Sequence, residues 1–174
     1  MQEIKCGVPA LNTEEYLGAL IALAQAKEPT LFALQAKLPT QGRSDIPLAA
    51  TAGMSVILKA YAAGGENELH AHLHEDHLFL VMQGTAEFFG SGNRSLGVLQ
   101  HYQGILIPKG AYYRFEAGPG KSLVMLRIGA VPMLPDAAAA FARVDTKGRD
   151  MDGYSAENKE VPVLYEQEKW FPPR

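Results

Sequence analysis

The chain is predicted to be all-β, a small antiparallel barrel or sandwich preceded by one helix and followed by a short helix and a tail. From Gly53 onward, short apolar runs alternate with turn residues: MSVILKAYA, NELHAH, HLFLVMQ, TAEFFG, LGVLQHY, GILIPKG, YYRFEA and SLVMLRIGA. Glycines separate them at Gly64-Gly65, Gly84, Gly90-Ser91-Gly92-Asn93, Gly110 and Gly118-Pro119-Gly120, where turns need conformations that other residues adopt with strain. The runs are too closely spaced for the crossover helices that a parallel sheet requires.

Ahead of these strands, Asn12 and Glu15 stand at capping-box spacing, and Leu17, Leu20, Ile21 and Ala24 recur at helical intervals. This predicts a helix over about residues 13–26, ending before Pro29. Pro29, Pro39 and Pro47 fall among short apolar runs, so residues 28–52 read as extended chain and connecting loop. Residues 1–52 thus form a helix and arm, and 53–131 the β-barrel. Residues 132–174 form a C-terminal region in which Asp136 caps a short helix through AAAAFARV. From Lys147 to Arg174 the chain is polar with isolated Tyr154, Tyr165, Trp170 and Phe171. An ordered but irregular tail is expected, packing its aromatics onto the barrel or a neighbouring subunit.

Composition narrows the functional classes. The 174 residues carry 16 basic and 19 acidic side chains, a net charge of −3, with 47% hydrophobic and 20% charged residues. That is the composition of one globular domain, with no basic footprint for nucleic acid or an anionic membrane. Charge, Gly or Pro interrupts every apolar stretch before the ~18 residues of a membrane span. MQEIKCGVPALN lacks the basic start and apolar core of a secretory signal, so a cytoplasmic protein is expected. Cys6 is the only cysteine, which excludes an intrachain disulfide and a cysteine-based zinc cluster.

The histidines are not ordinary. Of the 5 in the chain, His70, His72, His74 and His77 lie within one short segment. On a strand, residues two apart share a face, so His70 and His72 can converge on one point. Leu73 to Asp76 suffice for a reversal, and His77 then opens the returning strand with Phe79 and Val81 on its face. Three imidazoles so placed can surround a divalent ion at about 2.0–2.1 Å. The competing reading is an exposed hairpin tip whose histidines are solvated, with Glu75 and Asp76 contributing to its polarity; periodicity alone leaves both open. His74 falls in the reversal and reads as a surface residue, and His101, on another predicted strand, as structural.

A longer pattern bears on the choice. Gly64, His70, His72, His77 and Gly84, followed by Pro108-Lys109-Gly110 within GILIPKGAYYRFEA, resemble the two signature motifs of the cupin superfamily over about residues 53–130. The resemblance implies a double-stranded β-helix, or jelly-roll, barrel and a metal site at His70, His72 and His77. His77 stands where the family usually places Glu, and Tyr113 where it places the last His. Tyr113 is therefore expected as an acid/base group at the open face, or else as a wall aromatic beside Phe115. Phe79, Val81, Phe88 or Phe89, and Phe115 are expected to line a substrate pocket.

Three neutral imidazoles would leave a divalent ion's charge uncompensated and favour an anionic ligand. The expected function is a metal-dependent enzyme acting on a small acidic or enolisable molecule, an oxygenase using iron. The alternatives are a lyase or isomerase using zinc, manganese or nickel, and a non-catalytic small-molecule-binding protein. The arm and the aromatic tail offer surface that one barrel would not bury, so a homodimer is expected.

Overall fold

The computed structural model describes residues 4–62, 67–131 and 137–173, with the side chains of 137 and 138 outside that description. Gly64 of the first motif and the expected cap Asp136 lie outside the described residues. The chain enters through β1 (Lys5–Cys6) and α1 (Thr13–Ala26). Asn12 Oδ1 accepts from the Glu15 amide at 2.8 Å, and Glu15 Oε2 accepts from the Leu11 amide at 2.8 Å. Lys27 in the left-handed conformation ends the helix. Tyr16 and Leu20, rather than the exposed Ile21, form its buried face against Ala10 and Ile57.

The segment expected as arm and loop contributes strands: β2 (Phe32–Ala33), β3 (Ala36–Gln41) and β4 (Arg43–Thr51). Pro47 obscures β4 in the sequence, but β4 lies at a sheet edge, where a residue without an N–H is tolerated. All eight runs read from the sequence hold strands. They are β5 (Met54–Tyr61), β6 (His70–His72), β7 (Asp76–Gln83), β8 (Ala86–Phe89), β9 (Ser95–Leu99), β10 (Gly104–Ile107), β11 (Arg114–Ala117) and β12 (Leu123–Ala130).

Beyond them, α2 (Ala137–Phe141) is shorter than expected. Its predicted last turn is instead β13 (Arg143–Asp145), paired with the histidine strand β6; tertiary pairing there overrides helix propensity. The tail holds β14 (Leu164–Phe171), which pairs with β3 through register shifts, so it is ordered but more regular than expected.

The main sheet has the order β10-β7-β12-β5-β4, all antiparallel, and faces a second sheet of order β11-β8-β9. Alternation divides the main sheet into two faces. Leu58, Ala60 and Val124 point toward the β3–β14 ribbon with Phe171. Tyr61, Phe79, Val81 and Met125 point the other way, against Phe88 and Phe115 of the second sheet. The histidines sit on this inward face, at the end of the aromatic core. Among the described residues, no helix is long and apolar enough to cross a membrane.

Candidate metal centre

The site is built on adjacent rows of the main sheet. Ser55, Gly129 and His77 stand side by side across β5, β12 and β7, and Ile57, Arg127 and Phe79 form a neighbouring inward row. Gly129 carries no side chain, and the well it leaves is filled by the carboxylate of Glu75, which folds in from the turn between β6 and β7. Glu75 is 1% exposed, contrary to its reading as part of a solvated tip.

There Glu75 Oε1 accepts from Ser55 Oγ at 3.1 Å, and Oε2 lies 2.7 Å from His77 Nε2 and 3.7 Å from His72 Nδ1. His72 Nδ1, His77 Nε2 and the carboxylate form a buried group whose donor atoms lie within 4.8 Å of one another. Two donors held at ~2.1 Å by one ion are at most ~4.2 Å apart, so a small contraction would bring the three to one cation.

The predicted ligands are thus brought together in part. His72 and His77 join Glu75. The ring of His70 lies 5.2 Å from that of His72, but His70 is not a member of this group. His70 Nδ1 donates to the Glu68 carbonyl at 2.7 Å, which leaves Nε2 the unprotonated nitrogen. Glu75 is the residue that sequence reasoning missed, and its carboxylate would supply a bound cation with the charge compensation that three imidazoles lack.

Tyr113, 3% exposed, exchanges backbone hydrogen bonds with His70. Its hydroxyl donates to His77 Nδ1 at 2.9 Å, so the His77 proton sits on Nε2, facing Glu75. Phe79 and Phe115 line the cavity beside the site, while Val81 and Phe88 are packed in the core behind it. His74 is on the surface as expected. His101 lies in a turn rather than a strand, exposed and stacked on Tyr102 at 3.6 Å between ring centroids.

Arg127 bears on whether a cation fits. Its guanidinium, 4% exposed, donates to Glu75 Oε2 and, at 2.8 Å, to the Tyr16 hydroxyl, and its Nη2 also lies against His77 Nε2. It therefore engages two of the three donors that an ion would take. The remaining one, His72 Nδ1, is buried with no hydrogen-bond partner among the described residues. Two imidazoles, one of them with its nitrogen unpartnered, and a carboxylate fit a divalent ion, provided that Arg127 withdraws.

The charges respond as this arrangement requires. Burial would raise the Glu75 carboxyl, but Arg127, His77 and Ser55 outweigh it and hold it at about 2. Burial, then Arg127, press His77 down to about 4 against the pull of Glu75. Burial and the charge on His77 hold His72 well below the usual imidazole range. Both are neutral and able to donate a lone pair at neutral pH.

Two of the cavities among the described residues differ greatly in size and in their distance from the site. One of about 20 Å³ lies against the site and is lined by Lys59, Asn67, His70, His72, Arg127 and Arg143 together with aromatics. A surface groove of about 940 Å³ runs between Pro39, the Gly118–Ser122 turn and Trp170. It reaches Gln83, at the opposite end of β7 from His77, about 20 Å away at strand rise, and none of the histidines lines it.

The paired sheets, the His-x-His strand and the Pro-x-Gly turn, with Gly84 and Gly110 both at positive φ, give the chain a cupin-type double-stranded β-helix fold. Solved structures of this type are similar to it. The cupin domain of Schizosaccharomyces pombe Cnp3 aligns with a TM-score of 0.48 and 15% identity, over 52% of this chain and 61% of that one. A double-stranded β-helix domain protein from Klebsiella pneumoniae aligns at 0.48 and 16%, over 52% and 73%. KdgF from Halomonas sp. aligns at 0.46 and 20%, over 52% and 82%. The chain spans about three fifths of the Cnp3 domain's length. No protein-family model matches the sequence, and neither does any curated protein.

Proposed function

We propose that the protein is a metal-dependent enzyme of the cupin type, acting on a small acidic or enolisable molecule with iron held by His72, Glu75 and His77. One observation supports this above the rest: two imidazoles and a carboxylate converge in a buried site, the donor set of non-haem iron oxygenases. Bound there, the metal would supply redox chemistry with dioxygen.

The chain's own residues have separable tasks. Glu75 would offset part of the ion's charge, and Ser55 fixes the orientation of its carboxylate. Tyr113 holds the His77 ring through Nδ1. With Nε2 as a ligand, the single His77 ring proton would sit on Nδ1 and donate to the Tyr113 oxygen, so the same contact would hold the ring in place. Phe79 and Phe115 keep bulk water from this end of the barrel.

A second reading, a non-catalytic binding protein, is supported by Arg127, whose fixed positive charge already satisfies Glu75. Elemental analysis of untagged protein loaded anaerobically with iron, and separately with zinc, manganese and nickel, tests both. Oxygen uptake with a panel of small keto and hydroxy acids completes the test. One ion per chain, lost in His72→Ala and Glu75→Gln, together with oxygen uptake, is expected. Stoichiometric metal without turnover selects the binding protein, and no stoichiometric metal under any loading overturns the metal site.

A further inference from the structure

We propose that the 20 Å³ cavity beside His72, Glu75 and His77 is an anion subsite, which takes the carboxylate head of a small acid or an inorganic anion of similar size. It deepens the functional reading above by naming the charge of the ligand, but it stands on different residues.

Three cations line the cavity: Lys59, Arg127 and Arg143. Lys59 pairs with Asp45 at 2.5 Å and Arg127 pairs with Glu75. No ion pair among the described residues includes Arg143. Two carboxylates therefore face three cations, leaving one positive charge in a low-dielectric pocket, where a compensating anion gains most. The position of Arg143 is built into the fold. It sits opposite His72 in the β13–β6 register. Its guanidinium lies over Gly153, where a Cβ would come within 2.7 Å of Nη2.

Burial dominates in bringing Lys59 down to about 8, with Asp45 opposing and Arg127 and Arg143 adding to the fall. The ammonium is still charged at neutral pH. Asn67, 6% exposed, also lines the cavity, and its Oδ1 has no hydrogen-bond partner among the described residues. The volume admits about one water-sized group, which matches a halide, a formate or a carboxylate head and excludes a phosphate ester.

The test uses full-length protein stripped of metal with chelator, so that failure of the metal reading leaves it intact. Crystals soaked in bromide are examined for anomalous density in the cavity, and bromide and formate are titrated by calorimetry. Saturable binding, weakened at least tenfold in Arg143→Met and retained in part in Arg143→Lys, is expected. Formate binding more tightly than bromide assigns the cavity to a carboxylate head, and the reverse to an inorganic anion. No bromide in the cavity, or Arg143→Met binding as tightly as the unaltered chain, overturns the proposal.

Discussion

Glu75 occupies the space that a side chain at residue 129 would fill, and a Cβ on Gly129 would overlap its carboxylate. The buried acid and the glycine belong to different strands' neighbourhoods, yet neither is explicable without the other.

The first prediction follows from that overlap. In Gly129→Ala the carboxylate must leave its well, losing Ser55 and the aligned contact with His77. Overpacking of this kind costs about 1–3 kcal/mol, and metal affinity should fall at least tenfold because one of three donors is displaced. Calorimetric titration with manganese or zinc, beside urea unfolding, measures both. Unchanged affinity in a folded variant would show that Glu75 is no ligand.

The Glu75–Arg127 pair is predicted to be a coupled unit. Glu75→Gln leaves Arg127 as an uncompensated charge, for which the expected loss is about 3–5 kcal/mol. Adding Arg127→Met removes that charge, so the double variant should recover most of the stability lost by the single one. Unfolding energies for the four members of the cycle decide it. Additive effects would mean that the two groups do not interact.

Much of this architecture was legible in the sequence, and what escaped it has physical causes. Turn residues spaced the apolar runs clearly enough to locate all eight barrel strands, and Asn12 with Glu15 marked the start of α1. β4 and β14 escaped because Pro47, and the polar spacing around Trp170, disguise strands that lie at edges. At the site, His72 and His77 could be found because imidazoles in strand phase are unusual. Glu75 could not, because an acid in a reversal between strands is ordinarily solvated. Its signals lay elsewhere in the chain. Gly129 leaves a gap in the inward side-chain row of its strand, which marks a close approach, and Arg127 is a charge at an inward position two residues earlier, which needs a buried partner.

Arg127 is also predicted to compete with metal. A divalent ion about 4 Å from a guanidinium meets roughly 8 kcal/mol of repulsion at an effective dielectric of 20, less whatever Arg127 recovers by withdrawing. Arg127→Met should therefore raise zinc and manganese affinity by at least tenfold, while lowering the stability of the metal-free protein. Competitive titration against a chelating dye reads the first effect and thermal unfolding the second. A fall in affinity would instead assign Arg127 to the support of Glu75 in the metal-bound form.

The last prediction concerns alkaline pH and lies away from the candidate ligands. Burial raises the pKa of Tyr16, Tyr61 and Tyr154 above the ordinary phenol value of 10.0. The folded chain keeps these protons where the unfolded chain releases them. Each phenol's contribution is therefore complete below pH 10 and is lost as pH rises toward the folded-state values. The slope is about 1.4 kcal/mol per pH unit for each group. Stability should thus fall steeply above pH 10, and phenolate absorbance from these three residues should appear together with loss of tertiary circular dichroism. Gradual titration of all the tyrosines in a chain that stays folded would show that these three phenols are open to water.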